Sequence, residues 1–366
     1  MNSLIIGGTG PTGHFIVNGL RERGHNVTLL HSGRHEIPET SEGVKHIHAD
    51  AFSEDSLKDA LKSLSFDLCI TAYGRLRRIA ELMTDHTDRF ISIGGVPAYR
   101  GFMNPWLFDP PGLPVPISEE DLLVQVEKED EKGWRIVRTE EAVFQNHPNA
   151  THFRYPYVYG SYQLVPREWC IVRRILDNRP HIIVPDDGLT LSSFGYAENL
   201  AHAILLAVDQ PEISSGKTYN CGDEEVLSLR KVIEIITSAM NHKWEIVSMP
   251  WKIAVPARPL MMQPLPTHRV LSIEKIKREL GYRDVVKPAE GLVITAKWLA
   301  ENRPEKGGQE EKMLQDPFDY EAEDKLISAW KGLLESIPEI SYRQEPGWGM
   351  HYSGPGGQPR SNTDFQ

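Results

Sequence analysis

The sequence predicts an α/β fold, a doubly wound parallel sheet followed by a smaller α/β substrate-binding part and a helical C-terminal extension. Three observations predict it. Short apolar runs alternate with helix-like segments through the first half. A glycine-rich stretch, Gly7-Gly8-Thr9-Gly10-Pro11-Thr12-Gly13, separates the first run from the first helix. Beyond about residue 155 the alternation gives way to apolar helices and a proline-rich connector.

Leu4-Ile5-Ile6 reads as the first strand and residues 14–23 as the first helix, with Gly24 as its C-cap. Between them the glycines let the backbone turn tightly and approach a phosphate with no Cβ in the way. The helix start adds unpaired N–H groups and a partial positive charge. Pro11 suits the first turn, where its missing N–H costs little. Strand, loop and helix start together predict a pyrophosphate site for a dinucleotide in a Rossmann-type sheet, contacted by Gly7, Thr9, Gly10, Pro11, Thr12 and Gly13. Residues 26–30 read as the second strand and 44–48 as the third. Ser53 then caps a helix with Leu57, Leu61 and Leu64 on one face and Ala60 beside them. Residues 68–70, 90–93 and 152–154 are further short buried strands.

In the second half, residues 197–208 form an apolar helix, and Ser228 caps another that carries Val232, Ile235 and Ile236. Residues 256–266 are a connector and a mobile pocket edge, rich in proline and holding Met261 and Met262. Helices follow at 272–280, closed by Gly281, and at 288–302; residues 301–312 read as a polar linker. The helix expected at 320–336 lines up Leu326, Ile327, Trp330, Leu333 and Leu334, a face to be covered by the substrate half or a second subunit. The last stretch, with Trp348 and Tyr352, has no periodicity and reads as a flexible tail able to reach the cleft. The parts are thus 1–155 for the dinucleotide, 156–302 for the substrate with some segments returning to the sheet, and 303–366 for linker, helix and tail.

The 366 residues leave room for a large core. Asp and Glu number 51 against 40 Lys and Arg, a net charge of −11, which disfavours nucleic acid and anionic membranes as partners. No apolar stretch reaches the roughly 18 residues of a membrane span. No secretion signal precedes the first strand. Cys69, Cys170 and Cys221 are too widely spaced for a zinc or disulfide framework and read as reduced thiols of a cytoplasmic protein.

Several ordered motifs resemble the extended or atypical short-chain dehydrogenase/reductase superfamily, of the NAD(P)-dependent epimerase/dehydratase type. They are the glycine loop, Arg154-Tyr155-Pro156-Tyr157-Val158-Tyr159-Gly160, Pro185-Asp186-Asp187-Gly188, Tyr196-Ala197-Glu198-Asn199-Leu200-Ala201 and Thr218-Tyr219-Asn220-Cys221-Gly222. The resemblance spans about residues 1–300. It implies adenine contact at Asp50 and Ala51, a cofactor-lining loop at Ala72 and Tyr73, and a nicotinamide-side segment at Pro156, with Tyr157 a substrate candidate. At the end of the second strand a carboxylate would select NAD(H) through the ribose 2′-hydroxyl. This chain has His31-Ser32-Gly33-Arg34-His35 there. Ser32 and Arg34 suit a 2′-phosphate, so NADP(H) is preferred over NAD(H).

The family's usual chemistry needs a tyrosine, a lysine four residues later, and an orienting Ser or Thr. This sequence departs at all three. Glycine falls where the hydroxyl is expected after Ser92-Ile93, and no tyrosine occurs between Arg100 and His152. Trp134 and Arg138 have the spacing of the pair, but an indole exchanges no proton at useful pH. Tyr99 is therefore the proton-donor candidate and Arg138 the ribose-binding and catalytic candidate, with Arg75 a holder of an anionic or carbonyl substrate. His46 and His48 point the same way along a strand near Asp50; a solvated sheet face accounts for them, and no metal is expected. The reading is an NADP(H)-dependent oxidoreductase acting on a small organic carbonyl or alcohol, in specialised metabolism. Its alternatives are an epimerase/dehydratase with bound cofactor and a non-catalytic dinucleotide sensor or scaffold. A homodimer is a possible assembly.

Overall fold

The computed structural model describes residues 1–33, 37, 40, 43–71, 75–263 and 265–344. Residues 1–319 and 320–366 form two units, each taken by itself.

In the first unit the strands are β1 Asn2–Ile6, β2 Asn26–His31, β3 Lys45–His48, β4 Leu68–Thr71, β5 Phe90–Gly95, β6 Thr151–Tyr155, β7 Tyr157–Tyr159, β8 His181–Pro185, β9 Phe194–Tyr196, β10 Lys217–Asn220 and β11 Glu245–Met249. The main helices are α1 Gly13–Glu22, α2 Glu54–Leu61, α3 Leu76–Leu82, α4 Glu131–Asn146, α5 Trp169–Leu176, α6 Ala197–Asp209, α7 Leu229–Ala239, α8 Glu274–Leu280, α9 Pro288–Glu301 and α10 Gln309–Leu314.

Seven strands make one parallel sheet in the order β10-β6-β5-β4-β1-β2-β3. Ile6 is in register with both Leu30 and Thr71, so the order reverses at β1 and the switch point lies between β1 and β4. The central strands β1 and β4 are buried along all but the first residue of β1, because helices cover both faces. On one face Ile16, Val17 and Leu20 of α1 and Leu200, Ile204 and Leu205 of α6 pack on Ile5, Leu29, Ile70 and Phe153. The two helices lie so close that a Cβ on Gly19 would come within 2.2 Å of Leu205 Cδ1. On the other face Leu57, Leu61, Leu76, Ile79 and Val143 cover Leu4, Ile6, Leu30 and Cys69. The expected N-caps are in place: Ser53 Oγ accepts from Ser56 N–H, and Ser228 Oγ from Lys231 N–H. All three cysteines are free and buried. Two short parallel pairs, β8 with β11 and β7 with β9, belong to the second half of the unit.

Two segments differ from the sequence reading. Residues 309–314 are helical rather than linker, and the segment is anchored by Glu311, which is buried and paired instead of solvated. Trp169 Nε1 donates to Glu311 Oε1 at 2.9 Å, Arg173 pairs with Glu311, and Arg174 pairs with the buried Asp316 at 2.7 Å. Within 256–266, the turns Val255–Ala257 and Arg258–Met261 are formed, and Leu260 and Met261 are buried.

In the second unit, α11 Tyr320–Glu335 spans the expected helix. Of its five apolar positions Ile327 is buried, Leu326 and Trp330 are half-buried, and Leu333 and Leu334 are exposed. Among the described residues the face is therefore only partly covered. The expected tail, with Trp348 and Tyr352, lies outside the described residues.

Candidate functional site

At the carboxyl end of β1 each glycine of the loop answers a different constraint. Gly7 takes φ +93°, in the left-handed region that favours glycine, and its N–H donates to Leu30 O at 3.0 Å. A Cβ on Gly13 would lie 2.0 Å from Gly8 O, and one on Gly8 would lie 2.6 Å from Leu29 Cδ1. These two glycines let the loop and α1 close onto the sheet. Gly10 is the opposite case: a Cβ there meets nothing within 4 Å. That open ground over the loop fits a diphosphate. Thr12 is the N-cap of α1 without a side-chain cap bond, and no acidic residue stands in the first turn to offset the helix's positive end. Thr12 is buried and hydrogen-bonds the Tyr155 side chain, so it fixes the loop to β6. Thr9 and Pro11 are half-buried beside it.

At the adenosine end Ser32 is exposed directly after β2, and Gly33 turns at φ +74°. Arg34, Ala72 and Tyr73 lie outside the described residues. Asp50 is exposed after β3, where its Oδ1 accepts from Phe52 N–H at 2.9 Å; Ala51 beneath it is buried. Arg75 is exposed and carries its guanidinium 5.6 Å from the centre of the Phe52 ring. That contact sets Arg75 beside the loop after β3, on the adenosine side of the switch point, and argues against the substrate role expected of it.

The corner between β5 and β6 departs most from expectation. Tyr99 is fully buried. Its hydroxyl accepts from Arg154 Nη1 at 2.8 Å and donates to Asn220 Oδ1 at 2.7 Å. Arg154 in turn makes two bonds to Glu140, at 2.7 and 3.0 Å. Burial pushes the Tyr99 phenol up to about 12, in spite of the neighbouring guanidinium. A phenol with no exposure and a satisfied hydroxyl is a structural post; the proton-donor expectation is corrected. His152 completes the cluster, with Nδ1 at 2.7 Å from Ser92 Oγ, and burial lowers its imidazole to about 4.

Arg138 is corrected too. It is exposed on α4, pairs with Glu141 at 2.8 Å and lies over the Trp134 ring at 5.6 Å. The pair that α4 turns inward at the same spacing is Gly133 and Val137. A Cβ on Gly133 would stand 2.6 Å from Pro97 O, so no tyrosine fits there. Tyr157 is likewise occupied: its hydroxyl bonds Val165 O and accepts from Arg167 N–H at 2.7 Å, which tethers residues 165–167. Pro156 is buried between β6 and β7, close to Gly222.

The sequence reading missed Arg269, for which it offered no signal beyond one more arginine. Main-chain bonds hold its backbone, from its own N–H to Leu191 O at 2.9 Å and from Ser193 N–H to its carbonyl at 2.8 Å. The side chain is 6% exposed, and Nε and Nη2 have no hydrogen-bond partner. Its guanidinium sits 4.6 Å from the centre of the Phe102 ring, in the segment leaving the carboxyl end of β5. Burial pulls Arg269 down to about 10, so it stays a cation at neutral pH. Thr267 Oγ1 and Gln263 Oε1, two and six residues earlier, are also buried without partners. Arg154, Arg167 and Arg174, equally buried, each have a carboxylate. A buried, unpaired guanidinium is costly, and an anionic ligand group would offset that cost.

Residues 138–222 match the NAD dependent epimerase/dehydratase family. Among relatives, the chain is 25% identical over 314 residues to the chloroplast stem-loop binding protein of 41 kDa b of Arabidopsis thaliana, covering 79% of this chain and 76% of that one. It is 24% identical over 226 residues to a 3-diazoavenalumate denitrifying reductase of Streptomyces sp, covering 57% and 72%. Among solved structures, UDP-glucose 4-epimerase of Thermotoga maritima with UDP-glucose aligns at a TM-score of 0.66 and 16% identity, over 83% of this chain and 100% of that one. UDP-glucuronic acid 4-epimerase of Bacillus cereus in complex with NAD aligns at 0.63 and 17%, over 83% and 100%. The fold is theirs, and the segment 138–222 carries the resemblance to the epimerase/dehydratase family.

Proposed function

We propose that the protein is an NADP(H)-dependent oxidoreductase acting on a small organic carbonyl or alcohol that also carries an anionic group. The observation that carries this reading is the open space over Gly10 at the uncompensated start of α1, in a loop that needs glycine at every crowded position. When bound there, the nicotinamide supplies hydride transfer. Gly7 to Gly13 hold the diphosphate, Asp50 and Ala51 border the adenine, and Ser32 with Arg34 take the 2′-phosphate, no carboxylate standing at the end of β2 to select NAD(H). Arg269 orients the substrate through its anionic group. With Tyr99 sealed, the proton comes from water or from the substrate itself. The reductase among the relatives favours net reduction over epimerisation. A small-molecule partner, a cytoplasmic location and a homodimer belong to the same proposal. So does the absence of nucleic-acid partners, which the net charge of −11 supports although one relative is named for stem-loop binding. No described helix is long and apolar enough to cross a membrane.

The test is a thermal shift with each cofactor followed by a turnover screen. NADPH is expected to raise the midpoint more than NADH at equal concentration, and Arg34→Ala to erase the difference. Equal shifts would overturn the NADP(H) preference. Net NADPH consumption separates an oxidoreductase from an epimerase/dehydratase. The second reading, a non-catalytic sensor or scaffold, is favoured by the sealed Tyr99 and by the missing room at Gly133. It prevails if NADPH binds and broad screens of anionic carbonyls and alcohols give no turnover.

A further inference from the structure

The sheet edge beyond β2 carries a second constellation that the dinucleotide reading does not use. His46 and His48 sit at i and i+2 on the edge strand β3, which turns both to one face. His31 ends β2 in direct register with His48. Alternation along one strand and register across to the next thus bring three imidazoles together. The ring centres of His31 and His46 are 5.0 Å apart, those of His31 and His48 4.9 Å, and those of His46 and His48 6.3 Å. One nitrogen of each ring lies within 4.8 Å of one nitrogen of both others. Three imidazoles bound to a tetrahedral zinc through bonds of about 2.0–2.1 Å would have their centres about 5 Å apart. Two of the three separations already match, and the third closes by a rotation of the exposed His48.

We infer that His31, His46 and His48 form a binding site for a divalent transition metal, zinc by its preference for imidazole, with a fourth position open to solvent. As the chain stands, His31 Nε2 and His46 Nδ1 face each other at 2.8 Å and share one hydrogen bond. Gly33 N–H reaches His31 Nδ1 at a longer 3.2 Å, so the proton of His31 is on Nε2. His46 Nε2 is buried with no hydrogen-bond partner among the described residues, which leaves Nδ1 as the ligating atom. Ligation turns both facing nitrogens, His46 Nδ1 as it stands and His31 Nε2 once it has lost its proton, onto the ion. The His31 proton moves from Nε2 to Nδ1, none is released, and the weak contact from Gly33 is given up in a turn that glycine keeps adaptable. His46 already carries its proton on Nε2 and needs no change. A solvated sheet face does not account for His31, which is 3% exposed.

The probe is the metal alone, so the result is independent of any cofactor or substrate. Equilibrium dialysis of the full chain with zinc is expected to leave one ion per chain, and cobalt(II) to give the intense visible bands of a tetrahedral site. His46→Gln and His48→Gln are each expected to weaken binding at least ~10-fold and abolish the cobalt bands, while His202→Gln changes neither. Metal-free midpoints of all variants report folding, and zinc should raise that of the wild type and of His202→Gln only. No stoichiometric ion, or binding that persists in the doubly substituted His46→Gln/His48→Gln chain, overturns the site.

Discussion

The β1–α1 corner and the β5–β6 corner flank the same switch point and are built in opposite ways. At the first, backbone does the work: glycines clear the ground and a helix start supplies the charge, leaving space over Gly10. At the second, side chains fill the ground. Tyr99, Arg154, Glu140 and Asn220 are linked by hydrogen bonds, and Gly133 lets α4 press onto the main chain. An open glycine loop thus stands beside a corner closed by packed and bonded side chains. On the function proposed above, cofactor binding and acid–base chemistry are separate demands on this fold.

That contrast can be broken in order of expected effect. Arg154→Met leaves Glu140 buried without its partner and should cost about 3–5 kcal/mol, read by denaturant unfolding. A loss under 1 kcal/mol would mean that the corner is not held by this pair. Gly10→Val should raise the dissociation constants of NADPH and NADH by ~100-fold or more with little change in stability, since the added atoms enter open space. Calorimetry showing unchanged affinity would move the cofactor elsewhere. Arg269→Met should raise the ligand-free Tm, because an unpaired buried charge is removed, and should raise KM for an anionic substrate by about 10-fold or more at similar kcat. A lowered Tm would point to a partner for Arg269 in the chain. The smallest effect is expected of Tyr99→Phe, which loses bonds to Arg154 and Asn220 and should cost about 2 kcal/mol while leaving NADPH affinity and kcat in place. A fall in kcat of ~100-fold would restore Tyr99 as general acid.

What could be read from the sequence follows the same divide. The glycine loop, the alternating strands and the serine caps are local: each depends on neighbours within a few residues, and each forms where the pattern puts it. The closed corner is not local. Glu140 finds Arg154 from a helix onto the next strand, and Tyr99 meets Asn220 across 121 residues, so its hydroxyl read as available when it is spoken for. Glu311 read as solvated for the same reason, its partners being Trp169 and Arg173 far upstream. Arg269 was beyond reach altogether, since its meaning lies in the partner it lacks.

Gly133 bears on what can be built into this chain as well as on its shape. Residues can be exchanged one at a time, but the 2.6 Å between a Cβ at Gly133 and Pro97 O is a distance to main chain, which no rotamer change relieves. Introducing tyrosine at 133 and lysine at 137 would have to push α4 off the turn after β5 and unseat Val124, which also lies against Gly133. With the helix seated on the turn, geometry shuts that pair out, and a chemist wishing to install a proton relay here would have to build it from other groups.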